Sequence, residues 1–280
     1  MGKSLILFLS FFLAGQFAVC QSTGACDCYN KNIKDSLVEK YITKRAHKNG
    51  YNGTEWQRDC DSLIAMCPNI ADAYQLKAIP YIKYGDYATA FPLEDKAVEL
   101  DPRGFTAYRG FLKCIFTKDY EGAIIDFQKA QQLSRNGFEM DHSYLFYEAL
   151  CNLELGNYSL AEANFKQDIL IQTEGDTSRT SRIHFNTRLY MGILYYEIND
   201  NTRAKENLLK CLAIYKELPD ANYYLAMVYK RENNMELKNK YLQIAAQTKS
   251  KGYTMGEDNI FYSYYPHQIT LYEINQALEK

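Results

Sequence analysis

The chain has 280 residues, of which 47% are hydrophobic and 24% are charged, and its net charge is −2. This composition is typical of a globular protein and excludes a wholly disordered chain. The near-neutral charge does not indicate a basic surface of the kind that binds nucleic acid, so we expect no nucleic-acid partner. The 25 tyrosines against a single tryptophan suit packed helices with polar edges, or an adhesive surface.

The N-terminal segment has the pattern of a secretory signal. Lys3 gives it a positive start, and the run 5–14 is nearly all apolar. Ala18 and Cys20 are small residues at the positions that a signal peptidase requires before its cleavage site. The apolar run is too short to make a good membrane span. We therefore predict a signal peptide over residues 1–20 and export to the periplasm or the exterior.

Two other interpretations of this segment remain open. One is an N-terminal helix buried in the fold. The other is a lipoprotein signal, in which Cys20 would carry the lipid and the protein would associate with a membrane. Val19 stands where Gly, Ala or Ser is usual in such a signal, and Phe17 stands where Leu is usual. The lipoprotein interpretation is therefore the weaker one.

Residues 21–70 are predicted to form a capping pair of helices. The segments 32–48 and 54–66 have helical patterns and flank a turn at 49–53. Pro68 then ends the second helix, since proline cannot continue the backbone ladder.

A period of 34 residues runs through the centre of the sequence. Three pairs of identical residues are separated by this distance: Pro68 and Pro102, Tyr74 and Tyr108, Tyr195 and Tyr229. A fixed period of this length is typical of solenoids built from stacked helix pairs.

The clearest copy of the repeat, at 71–104, resembles the tetratricopeptide repeat (TPR). Its matching residues are Tyr74, Ala78, Tyr81, the turn Gly85-Asp86-Tyr87, Ala90, Ala97 and Pro102. In this family the small residues at repeat positions 8 and 20 let the two helices of one hairpin approach closely. The resemblance implies a right-handed, all-α solenoid that binds a protein or peptide in its concave groove.

Four more copies follow the first one. They span 105–138, 142–172, 185–218 and 219–252. The third and fifth copies depart from the family, with Glu148 at position 7, Asp168 at position 27 and Lys238 at position 20. We predict about five TPR hairpins and an exposed insertion at 173–184.

A C-terminal region, 253–280, follows the repeats. Its stretch 253–267 is irregular and rich in tyrosine. Thr270 and Glu273 then form a capping box, which predicts a final capping helix that ends near Leu278.

The sequence carries no recognisable catalytic motif. Its four histidines lack the spacing of a zinc-binding helix, and it has neither a nucleophile elbow nor a dinucleotide fingerprint. We predict no enzyme activity, no cofactor and no metal. An alternative from another class is a thiol-redox protein or enzyme that uses Cys26 and Cys28.

Cleavage after Cys20 would leave seven cysteines, an odd number, so at least one thiol has no partner within the chain. In the capping hairpin, Cys67 ends the second helix and lies near the start of the first. Cys26 or Cys28 can therefore reach it, whereas Cys60 is out of reach. We predict at most one intramolecular disulfide, with Cys28 and Cys67 as its candidate residues. The remaining cysteines are expected in the core: Cys60, Cys114, Cys151 and Cys211.

The resemblance also implies which residues line the groove. Carrying the family's concave-face positions onto this chain gives an apolar centre with basic residues towards its ends. The predicted groove consists of Arg109, Lys113, Phe146, Leu150, Leu189, Ile193, Tyr196, Tyr223, Met227 and Lys230. An exposed apolar stripe of this size needs a partner. That partner is either a foreign peptide or protein, or the chain's own 253–267 stretch in a tight superhelix.

Overall fold

The computed structural model describes residues 27–257 and 262–279. The predicted signal segment with Cys20, and Cys26 beside it, lie outside these ranges. The described chain is an all-α, right-handed solenoid of the TPR type, as the sequence predicts.

Five antiparallel helix hairpins stack in chain order. They are α4 (Ala71–Tyr84) with α5 (Tyr87–Leu100), α6 (Pro102–Leu112) with α7 (Tyr120–Leu133), α8 (Tyr144–Glu154) with α9 (Tyr158–Gln172), α10 (Phe185–Glu197) with α11 (Asn201–Ile214), and α12 (Pro219–Arg231) with α13 (Met235–Ser250). A π-helical segment, Lys113–Thr117, continues α6. The two helices of each hairpin pack on one another, and each hairpin packs on the next.

The ends of the solenoid carry further helices. At the N-terminal end lie α1 (Lys31–Val38), a π-helical segment (Glu39–Ala46), α2 (His47–Asn49) and α3 (Thr54–Met66). At the C-terminal end, α14 (Leu271–Glu279) packs on α13. The backbone N–H of Thr270 donates to Glu273, and the Glu273 N–H donates back to the Thr270 hydroxyl.

Two irregular elements interrupt the repeats. A short antiparallel pair, β1 (Phe138–Glu139) and β2 (His142–Ser143), precedes α8. Before α10, the 174–182 part of the long loop is exposed and contains a single 3₁₀ turn, Thr180–Arg182.

The turn inside each hairpin has the same two-residue design. A residue with positive φ ends the first helix: Gly85, Lys118, Gly156, Asn199 or Asn233. The next residue is Asp or Asn, and in four of the five hairpins its side chain accepts a hydrogen bond from the backbone N–H three positions later. The left-handed residue reverses the chain, and the cap then satisfies a free N–H of the second helix.

The residue at position 27 of the third repeat, which differs from the residue typical of the family, is buried and hydrogen-bonded. Asp168 is fully buried and accepts bonds from the Ser143 hydroxyl at 2.7 Å and the Thr187 hydroxyl at 2.8 Å. The Gln172 amide donates a third bond at 2.7 Å. A polar side chain is therefore tolerated here because β2, α10 and its own helix supply the donors that it needs.

The N-terminal helices have their own small core. Trp56 lies in this core, and its indole N–H donates to the Leu76 carbonyl at 2.8 Å, which ties α3 to the first TPR hairpin. Cys28 and Cys67 are joined in a disulfide across the base of these helices. The four other described cysteines are buried thiols. No helix in the described ranges has the length and apolar character needed to cross a membrane.

Candidate functional site

The tail segment, defined here as residues 262–269, runs along the face formed by the first helices of the hairpins. Its contacts follow the order of the chain. The Tyr262 hydroxyl bonds that of Tyr51 at 2.7 Å, in the N-terminal cap, and the Ser263 hydroxyl donates to the Ile115 carbonyl at 2.6 Å. Six residues further on, the Ile269 N–H donates to Asp220 of α12 at 2.8 Å. A single short segment thus reaches from the N-terminal cap to the fifth hairpin.

Two buried tyrosines hold the main chain of the tail segment. The Tyr190 hydroxyl donates to the Pro266 carbonyl at 2.9 Å, and the Tyr224 hydroxyl donates to the His267 carbonyl at 3.2 Å. Both tyrosines occupy position 6 of their repeats, as does Tyr147, a third buried tyrosine. Hydrogen bonds to carbonyl groups can hold a peptide backbone whatever side chains it carries.

The side chains of the tail segment are also selected by the groove. Tyr265 is only 2% exposed, while its neighbour Tyr264 is 57% exposed. The His267 Nε2 lies 2.7 Å from a carboxylate oxygen of Glu154. Ile269 is buried. The backbone turns at this point, because the Gln268 N–H donates to the Tyr265 carbonyl at 3.1 Å and His267 has a φ of 58°. The groove therefore takes up the side chains of a turn at 265–268.

A buried polar cluster anchors the preceding part of the tail, residues 253–257. Glu257 pairs with His142 Nε2 at 2.7 Å and accepts a bond from the Asn186 amide at 2.7 Å. The Tyr265 hydroxyl also donates to Glu257, at 3.2 Å. Burial raises the pKa of Glu257, but the bond and charge of His142 outweigh it, so that the pKa lies below its usual value.

His184 lies beside this cluster in its neutral form. Burial, assisted by His142, lowers its pKa to about 4. Its Nδ1 accepts a hydrogen bond from the Asn186 backbone N–H at 3.2 Å, which leaves the ring proton on Nε2. The cluster thus connects the tail to the third and fourth hairpins.

The structure does not expose the apolar centre of the predicted groove. Phe146, Leu150, Leu189 and Ile193 are buried, in the same core cluster as Met255, Tyr265 and Ile269 of the tail. Phe146 also packs edge-to-face on Phe165 of α9. These residues therefore form the floor beneath the tail and part of the hairpin interior, and they do not line an open surface.

The two basic residues predicted at one end of the groove are held by a carboxylate of the neighbouring helix. Arg109 donates two bonds to Asp126 of α7, at 2.9 and 2.6 Å, and a third to Asp95 at 2.7 Å. Lys113 Nζ lies 2.8 Å from Asp126 Oδ2, the oxygen that also accepts the bond from Arg109 Nε. The buried Asp126 neutralises much of their charge, which leaves little to attract an acidic partner.

The remaining predicted residues lie at the C-terminal end of the groove, which is open. Tyr223, Met227 and Lys230 line a cavity of about 380 Å³ together with Tyr272, Glu273 and other residues of α14. Tyr196 lies beneath the Arg231 guanidinium, whose carbon is 3.4 Å from the ring centre.

The position-6 tyrosines were missing from the predicted groove, although a signal for them exists. Tyr190 and Tyr224 are 34 residues apart, and Tyr147 occupies the same position of the third repeat. The family's usual groove positions gave no reason to select them.

No cluster of side chains suited to a metal occurs within the described ranges. Three of the described thiols are poor nucleophiles, since burial raises the pKa of Cys60 to about 12 and raises those of Cys151 and Cys211 as well. Cys28 is held in its disulfide.

Comparison with known proteins yields matches of structure alone. No family model matches the sequence, and no curated protein sequence matches it. The structure of PilW, a type IV pilus biogenesis factor, is similar with a TM-score of 0.60 and 16% identity, over 88% of this chain and 99% of that one. The Cut9 and Hcn1 hetero-tetramer of APC/C has a TM-score of 0.60 and 15% identity, and the match covers 91% of this chain and 45% of that one. The pilF protein of Pseudomonas aeruginosa has a TM-score of 0.55 and 14% identity, and the match covers 76% of this chain and 90% of that one. These likenesses show the TPR fold.

Proposed function

We propose that this protein is an exported, non-catalytic scaffold whose concave groove holds a peptide segment of a partner protein. The observation that carries the proposal is the tail segment in the groove, held at consecutive carbonyl groups by Tyr190 and Tyr224. A surface that binds the backbone of its own tail in this way has the chemistry needed to bind another peptide.

Export is supported by two independent features. The N-terminal segment has the pattern of a signal peptide, and the disulfide between Cys28 and Cys67 is of a kind that persists in oxidising compartments. Mass spectrometry of the mature chain tests this part of the proposal: an N-terminus at Gln21 is expected, and an uncleaved chain would contradict it.

A more specific alternative is an adaptor in the assembly of the cell envelope. The likeness to PilW and to pilF favours it, since PilW is a type IV pilus biogenesis factor. A lipid on Cys20 would favour this alternative, despite Val19 and Phe17. A thiol-redox function receives no support from the described cysteines, because their sulfurs are either bonded or buried.

Selection from a library of displayed random peptides tests the binding function. The bait is the full chain with Tyr265→Ala, which weakens the hold of the tail segment on the groove. We expect enriched peptides whose capture is lost when Tyr190→Phe and Tyr224→Phe are added. Tyr195→Phe is the matched control on α10, because its hydroxyl bonds Glu162 of α9, away from the tail. Failure to enrich any peptide that depends on the two groove hydroxyls would overturn the proposal.

A further inference from the structure

The tail segment occupies the groove as a bound peptide would, although it belongs to the same chain. On the basis of the proposed function, we propose that the groove selects partner peptides that turn where an aromatic residue, a proline and a histidine or other cation follow one another, as the tail does at 265–268. We further propose that residues 262–269 occupy this same place until such a peptide displaces them. The tail order is Tyr265-Pro266-His267.

The aromatic position is the most strictly enclosed of the three. Tyr265 is nearly fully buried, whereas the adjacent Tyr264 and the nearby Tyr262 are largely exposed. Its hydroxyl donates to Glu257, which is itself held by His142 and Asn186. Glu257 belongs to the preceding anchored part of the tail, so that it can stay in place as a groove wall while the tail segment leaves.

The proline position suits a residue with a carbonyl and no N–H. The Tyr190 hydroxyl is buried and donates to the Pro266 carbonyl. Pro266 is itself buried, and any other residue would bring an N–H that needs an acceptor there. The groove therefore favours proline through the backbone group that proline lacks.

The third position is selected by charge. His267 Nε2 lies 2.7 Å from the Glu154 carboxylate, which also accepts a bond from the Tyr120 hydroxyl at 3.3 Å. A carboxylate in the groove wall favours a histidinium, lysine or arginine and disfavours an acidic side chain.

The tail segment is fixed on both sides, which makes it a strong competitor. Met255 and Glu257 are buried before it, and Ile274 and Ala277 of α14 are buried after it. A segment tethered at both ends rebinds at a high effective concentration, so that a free peptide competes poorly against the intact tail.

The test uses a fluorescein-labelled peptide with the sequence of residues 262–269, titrated into the full chain and followed by anisotropy. We expect the Tyr265→Ala chain and the His267→Ala chain to bind it at least about tenfold more tightly than the wild-type chain, because their own segments compete less. A peptide with alanine in place of the tyrosine that corresponds to Tyr265 should lose at least about tenfold in affinity. Replacement of the tyrosine that corresponds to Tyr264 should change little.

Equal affinity for the native and the alanine-substituted peptides would overturn the inference, and so would equal binding by wild-type and weakened chains. Hydrogen exchange and thermal melting of each variant establish that the hairpins remain folded. His267→Ala, which changes the tail and leaves the groove intact, is the substitute for Tyr265→Ala if that chain does not fold.

The library selection separates this inference from the proposed function. Enriched peptides that depend on Tyr190 and Tyr224 but lack the order of aromatic residue, proline and cation would overturn the inference alone. Failure of both the library and the tail peptide would overturn the proposed function as well.

Discussion

Gly192 leaves no room for a side chain in the fourth hairpin. A Cβ atom at this position would lie 2.6 Å from Leu208 Cγ and 3.3 Å from the Leu208 backbone nitrogen. Gly192 occupies repeat position 8, where the family requires a small residue. The backbone of α11 limits how far Leu208 can move aside.

We therefore expect Gly192→Ala to lower the free energy of unfolding by about 1–3 kcal/mol through overpacking. Urea denaturation measures this change. Leu209→Ala, at an exposed neighbour on α11, is the control and should shift the value by no more than about 0.5 kcal/mol. A stable Gly192→Ala chain would contradict the close approach of α10 to α11.

Glu94 is a buried carboxyl group in α5 that has no hydrogen-bond partner among residues 27–257 and 262–279. Burial raises its pKa from 4.5 to about 8, against an opposing effect of the Arg109 charge. The folded chain therefore binds the proton more tightly than the unfolded chain. The stability that this group contributes is fully present below pH 4.5 and is lost as the pH rises through about 8.

We expect the free energy of unfolding to fall between these pH values, with a slope from this group of at most about 1.4 kcal/mol per pH unit. Glu94→Gln, which cannot ionise, should flatten that fall. Denaturation curves on both sides of the range test this. Glu99→Gln is the control, because the Glu99 side chain is exposed. An unchanged slope in Glu94→Gln would show that another group causes the pH dependence.

At the scale of the elements, the N-terminal helices depend on a covalent link as well as on a small core. The disulfide closes a loop between residues that are 39 positions apart. Trp56, the single tryptophan of the chain, lies in that loop and hydrogen-bonds α4. A core of this size gives limited stability without such a link.

Replacing both cysteines by alanine, as Cys28→Ala with Cys67→Ala, should lower the stability of this region by about 2–4 kcal/mol, since the unfolded chain loses its cross-link. Hydrogen exchange should become faster over 27–70 and stay unchanged in α10 to α13. Faster exchange throughout the solenoid would instead indicate that the cap and the repeats unfold together. Wild-type protein under reducing conditions provides a comparison without mutation.

The sequence predicts the elements better than it predicts their irregular neighbours. The hairpins follow from local signals that recur every 34 residues, such as Ala78 with Ala90 and the cap at Asp86. The path of the tail has no period, and Tyr262 meets Tyr51 only because five curved hairpins bring them together. The family positions predict that Leu189 and Ile193 line an exposed groove, whereas the structure buries both in a core that includes tail residues far away in sequence.

At the scale of the whole molecule, hydroxyl groups on α10 and α12 decide how firmly the tail segment is held. Tyr190→Phe with Tyr224→Phe removes two hydrogen bonds and keeps both rings. Each such bond contributes about 1 kcal/mol, so amide exchange in 262–269 should accelerate by about fivefold or more. Tyr195→Phe should leave it unchanged. Equal protection in both chains would mean that side-chain burial alone holds the segment.

The contact between Tyr51 and Tyr262 joins residues 211 positions apart. In most solenoids each repeat touches only its neighbours, so that folding can spread along the array from any point. Here the tail touches the N-terminal cap and every hairpin, and it can dock only after all of them have formed. Formation of the hairpins depends on local contacts and is fast, whereas docking of the tail has to wait until the hairpins and the cap have formed its groove. The protein should therefore refold in two kinetic phases, a rapid one that builds the solenoid and a slower one that fills its groove.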